Sequence, residues 1–231
     1  MNNQKDSKLD SILRKYANLV GYTGEGIPTI HTELNGECPI HIAAERGSIN
    51  EITTLLANGA DINSKGGCAM TPLELAVSRG RIEIVQFLVR QGADTTIRTP
   101  FKGQTPLHEA IRYGYVVPAR LEAAKVLIRE GADTTIQNND GNTALHLAVE
   151  ECYLELVQLL VRQGADTTIQ NNDGNTPLHL AVKTGHIEAI EFLVRQGASI
   201  TIKNNDGDTP FDLAKIRNEI YRFLSNLEVP S

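Results

Sequence analysis

Six short apolar segments open on a proline or alanine at nearly constant intervals: Pro39, Pro72, Pro106, Ala144, Pro177 and Pro210, separated by 33, 34, 38, 33 and 33 residues. A fixed period of this length marks a solenoid, in which each unit packs only on its neighbours. The most regular copy is Gln170–Ala198. It begins with the polar turn Asn172-Asp173-Gly174, where glycine can take positive φ without steric cost. Thr176 can then cap a helix, and Pro177 stands at the first helical position, where its missing N–H costs nothing. Leu178, Leu180, Ala181 and Val182 give a short apolar helix, which Gly185 ends. Ile187, Ile190, Phe192, Leu193 and Val194 follow at helical spacing, and Gly197 closes the second helix. Helices this short are marginal in isolation. The period therefore predicts an all-α stack of helix-turn-helix units that bury their apolar faces against one another.

The opening tetrads carry a resemblance. Thr105–His108 and Thr176–His179 read TPLH and Thr143–His146 reads TALH; weaker forms are CPIH at Cys38–His41, TPLE at Thr71–Glu74 and TPFD at Thr209–Asp212. The second helices end in Gly-Ala-Asp or Gly-Ala-Ser at Gly59, Gly92, Gly131, Gly164 and Gly197. Over roughly residues 33–224 the chain resembles the ankyrin-repeat family. The resemblance implies a solenoid of six repeats joined by hairpin-like turns, used as a non-catalytic protein-binding scaffold. It also implies that His41, His108, His146 and His179 hydrogen-bond the backbone of the adjacent turn.

The division expected is an N-terminal capping helix and loop at 1–32, the repeats at 33–224 and a tail at 225–231. Leu9, Ile12, Leu13, Tyr16 and Val20 lie on one helical stripe, with Asp6 or Ser7 placed to cap the helix. A solenoid must cover its exposed end, and the same stripe would also suit a partner-binding helix. Several irregularities stand out. Cys38 replaces the capping threonine of repeat one, which should weaken that helix start. Repeat two has Gly66-Gly67-Cys68-Ala69-Met70 for its turn, so a different turn geometry is expected, and Glu74 replaces the histidine. Repeat three has one extra residue before Pro106 and five between its helices, with Pro118 expected at the start of a lengthened second helix. In repeat four Cys152 stands where its neighbours have glycine.

Catalytic chemistry is not expected. No Walker loop, G-x-S-x-G or H-E-x-x-H occurs. The four histidines recur one repeat apart, and packed helices lie ~8–10 Å apart. Two successive imidazoles therefore cannot share a metal ion at bonds of ~2.0 Å. His31 and His186 are isolated. Asp61, Asp94, Asp133 and Asp166 occupy one repeat position, which points to structure. No cofactor and no metal are expected. The three cysteines form no C-x-x-C and fit a reducing, cytoplasmic setting. A net charge of −6 disfavours nucleic acid and anionic membrane. It favours a protein partner with a basic or amphiphilic surface, met by a monomer.

In the family the contact positions are the turn tips and the last residues of the first helices. Carried onto this chain, and weighted toward aromatic and charged side chains, these are Met70, Arg79, Phe101, Lys102, Arg112, Tyr113, Glu150 and Glu151, with Tyr115 in the insertion. Aromatics beside paired carboxylates suit a partner that presents Arg or Lys. The loop before CPIH and the irregular second turn look like bacterial ankyrin proteins that neutralise partner toxins. A secreted effector or an intracellular adaptor is the alternative. An enzyme using the solenoid to capture substrate is the reading from another class.

Overall fold

A computed structural model of the chain describes residues 3–20, 29–34, 37–67, 69–112, 118–215 and 217–225. Among these, helix α1 (Asn3–Val20) precedes six helical pairs: α2 (Pro39–Arg46) with α3 (Ile49–Ala57), α4 (Pro72–Ser78) with α5 (Ile82–Arg90), and α6 (Pro106–Arg112) with α7 (Pro118–Arg129). They continue with α8 (Ala144–Glu150) and α9 (Leu154–Arg162), α10 (Pro177–Thr184) and α11 (Ile187–Arg195), and α12 (Pro210–Ala214) and α13 (Asn218–Ser225). The first helices pack side by side from α2 to α12, and α5, α7, α9 and α11 form a second row behind them. Pro118 is the first residue of the twelve-residue α7, as its position predicts.

One core runs between the two rows. In repeat four it is built from Leu145, Ala148, Val149, Leu156, Val157 and Leu160, and the same pattern recurs as Leu178, Ala181, Val182, Ala189, Ile190 and Leu193 in repeat five. Each large side chain buried this way contributes ~1.5–3 kcal/mol, and the alanines let the helices approach closely. Helix α1 extends this core by burying Ile12, Leu13 and Tyr16 against repeat one. Lys15 Nζ and the Tyr16 hydroxyl both donate to Glu51 on α3. The helix starts at Asn3, so Asp6 and Ser7 lie inside it rather than capping it; Gln4 and Lys5 are adequate helix formers and let it extend.

The turns are bound by a ring of hydrogen bonds that Asn138 closes in repeat four. Its Oδ1 accepts from the N–H of Asp140 (3.0 Å) and of Asn142 (2.9 Å); Asn171 and Asn204 do the same in the next two repeats. Across repeats, Asn171 Nδ2 donates to Asn142 Oδ1 at 3.0 Å and Asn204 Nδ2 to Asn175 Oδ1 at 3.1 Å. Repeat two departs from expectation here. Its backbone closes the same ring, with Gly66 N–H donating to Met70 O (2.9 Å) and Ala69 N–H to Gly66 O (2.8 Å). Ala69 takes the left-handed place of the usual glycine, with φ 57°. Packing on both neighbours imposes the ring, and the alanine is held there at a cost of roughly 1–2 kcal/mol.

The histidines join one repeat to the next. Nδ1 of His108 accepts from the Thr105 hydroxyl (2.7 Å), and Nε2 donates to Asn142 O in the following turn (3.1 Å). His146 and His179 repeat the arrangement onto Asn175 O and Asp208 O. An accepting Nδ1 and a donating Nε2 make the ring neutral. In repeat one Cys38 makes no side-chain cap, as expected, and His41 Nδ1 is left without a hydrogen bond. Asp94, Asp133 and Asp166 accept from the N–H and hydroxyl of the threonine two residues on, which confirms their structural role.

Two expected outcomes follow from these contacts. Gln104 is fully buried with both amide atoms unpaired, and Asn138 Nδ2, which holds the repeat position of Asn171 Nδ2, is also unpaired. Gln104→Asn is expected to restore the inter-repeat amide bond seen at the next two junctions and raise stability by about 1 kcal/mol; a urea midpoint that falls would contradict this. Burial holds His108 and His146 down at a pKa of about 4, against ~6.5 in an unfolded chain. Between those values the unfolded chain binds more protons, so stability is complete above pH 6.5 and falls as pH drops toward 4, by on the order of 3 kcal/mol per histidine. Urea titrations across that range would reveal the slope.

Candidate functional site

The candidate residues separate into two neighbouring clefts. At the tip of the third turn Phe101 is 89% exposed. Its turn is one residue longer than the others, closing from Thr99 N–H to Gln104 O at 2.8 Å. The backbone is pinned from repeat four, where Asn139 N–H donates to Lys102 O (3.0 Å) and Asn139 Nδ2 to Phe101 O (3.2 Å). Arg98 braces it from beneath by donating to Gly103 O and to Asn139 Oδ1. The tip is thus held rigidly while its aromatic ring is left in water. Met70, Pro100 and Phe101 line a mostly apolar cleft of about 410 Å³ that also includes Glu109.

Glu109 was not among the residues singled out from the sequence. It occupies the helical position filled by Leu75, Leu147 and Leu180 in other repeats, and that exchange is the signal that could have found it. Burial raises its pKa, opposed by the charges of Arg120, Lys102 and Arg112 and reinforced by Glu74. Glu74 is itself buried. Its Oε2 accepts from the Thr71 N–H at 2.7 Å, in place of the histidine of other repeats, while Oε1 is unpaired.

The second cleft, about 320 Å³, lies on the first-helix face of repeats three to five. Arg112, Asp140, Glu150, Asn172, Asp173 and Leu180 line it. Arg112 reaches Glu150 at 4.0 Å. Burial raises the pKa of Glu151, and the adjacent Glu150 raises it further. Asp140 and Asp173 add negative charge that attention to single repeats does not reveal, because adjacent turns place them together. Arg79 lies on the same helix row but pairs with Glu45 of repeat one at 2.5 Å. Lys102 is half-buried at the third turn. Tyr113 and Tyr115 lie outside the described residues. His186, isolated in the sequence, is brought into contact with Cys152, because a residue at the end of one first helix faces the start of the second helix in the next repeat.

Among the described residues, no three or more His, Cys, Asp or Glu side chains are grouped so as to hold a metal ion. No described helix is long and apolar enough to cross a membrane.

Comparison with known proteins fits this architecture. A family profile described as ankyrin repeats (3 copies) matches residues 13–99, 40–138, 91–171, 116–204 and 152–229. Among solved structures the chain is similar to an ankyrin repeat domain from Acinetobacter baumannii, with 27% identity and a TM-score of 0.72, covering 81% of this chain and 96% of that one. No curated protein matches.

Exposed charges along the first-helix row are expected to be dispensable for folding. Arg79→Ala and Glu150→Ala should each shift stability by less than ~0.5 kcal/mol, as surface ion pairs do. A larger loss in thermal melts would make them structural.

Proposed function

The chain belongs to the ankyrin-repeat family, and from that premise we propose that it is a non-catalytic, stoichiometric binder of a protein partner. The contact surface we assign is the turn tips and first helices of repeats two to four, centred on Phe101. The observation that carries this reading is the Phe101 ring, 89% exposed on a turn whose backbone is braced from the next repeat. An apolar ring kept in water on a rigid support is preorganised for an interface, because little side-chain or loop freedom is lost on binding. The cleft shared by Met70 and Phe101 offers the depth in which interface anchors concentrate.

The acidic cleft of Asp140, Glu150 and Asp173, the neighbouring Glu151 and the net charge of −6 support a partner with a basic surface. The specific form we propose is a monomeric cytoplasmic protein that neutralises a partner toxin. The similarity to a bacterial ankyrin repeat domain supports a bacterial setting for it. Capture of partners from the source cell, followed by co-expression with the captured protein, tests this form. Rescue of growth supports neutralisation, whereas binding without any inhibitory effect points to an adaptor or effector.

Phe101→Ala is expected to weaken partner binding by ~2 kcal/mol or more, as removal of an interface anchor does. Glu150→Lys combined with Glu151→Lys should mainly slow association and reduce its salt dependence. Calorimetry and stopped-flow mixing with the captured partner measure these effects. Wild-type affinity in Phe101→Ala with an unchanged melt would remove repeat three from the interface.

A further inference from the structure

We propose that Cys152 and His186 form a thiol–imidazole pair that makes Cys152 a site of reversible covalent modification by small neutral disulfides. After the first helix, repeats one, two and five carry Gly47, Gly80 and Gly185, all with positive φ. At two junctions an arginine before the following second helix clamps the preceding repeat: Arg81 Nε donates to Glu45 O at 2.9 Å, and Arg217 donates to Lys183 O at 2.8 Å. At the junction of repeats four and five both positions have changed together. Cys152 replaces the glycine and keeps its left-handed backbone, with φ 62°, and His186 replaces the arginine.

The exchanged side chains meet. Cys152 Sγ is in direct contact with His186 Nε2, and the cysteine is exposed. A carbonyl clamp has become a nucleophile beside a base. The two side chains line a cleft of about 110 Å³ with Ala148, Val149, Leu154 and Glu188. Its largely apolar wall accepts a small organic group, while Glu188 disfavours anionic reagents.

The chemistry balances without a further oxidant. Nε2 accepts the proton from Sγ. The thiolate attacks one sulfur of a disulfide RSSR, forming Cys152–S–S–R and expelling RS⁻, which takes the proton back as RSH. The thiolate is the attacking species, so a base in contact with Sγ speeds the step. Cys38 provides a contrast within the same chain, since burial together with Glu33 and Glu37 pushes its thiol pKa up.

The test uses the intact chain at pH 7, with iodoacetamide and hydroxyethyl disulfide as probes. Peptide mapping by mass spectrometry follows Cys38, Cys68 and Cys152 separately. Cys152 is expected to be alkylated at least about tenfold faster than Cys38. It is also expected to acquire the hydroxyethylthio group first and to release it to dithiothreitol. His186→Gln and His186→Ser should each slow Cys152 by about tenfold and leave Cys38 unchanged. Repeat one carries Ser48 at the equivalent position, so the serine variant is compatible with the fold. A Cys152 rate indifferent to both substitutions, with unchanged melts, or first reaction at another cysteine, would overturn the proposal.

Discussion

Repeats three, four and five are each tied to the next by one imidazole held at both nitrogens. In His108, His146 and His179, Nδ1 is satisfied by the threonine of its own helix and Nε2 by a carbonyl of the following turn. Removing the following repeat would exchange that bond for one to water, a net loss of ~0.5–1.5 kcal/mol, and would bare the apolar face beneath it. None of these three repeats is therefore complete by itself, and their helices depend on the stack as much as the stack depends on them. The last repeat avoids this cost. Asp212 stands in place of the histidine, accepts from Thr209 and pairs with the exposed Lys215, so it needs no seventh turn. At the other end α1 closes the core with apolar side chains and two bonds to Glu51.

The ladder is least regular at repeat three, and the same place carries the most distinctive surface. The extra turn residue lifts Phe101 into solvent, while Gln104 and Asn138 lose the amide bond that their counterparts make. Glu109 interrupts the row of leucines on the first helices, and α7 is three residues longer than its neighbour α9. A solenoid tolerates such changes because each repeat touches only its neighbours, so a local departure does not propagate. That tolerance lets one scaffold carry a distinctive local surface on otherwise interchangeable units.

The architecture was legible in the sequence because a short-range pattern repeats. The Thr-Pro openings, the Gly-Ala-Asp closings and the period near 33 residues report local rules of capping and helix termination, and these hold wherever the unit occurs. Pro118 at the start of α7 followed from the same local reasoning. The second turn did not: Ala69 was expected to change the geometry, yet neighbouring repeats enforce the common ring of hydrogen bonds. The start of α1 was also missed, because helix-forming residues precede Asp6 and the helix runs on through them.

Residues within one period set the unit, and the recurrence of that period along the chain sets its number and order. The tertiary structure decided which side chains from different periods meet. Cys152 and His186 are 34 residues apart, and Asp140 and Asp173 come from successive turns. Neither pairing has a signature within one unit. Stacking places a residue beside its counterpart one period away, so contacts of this kind arise from the superposition of repeats and become visible only when the units are packed.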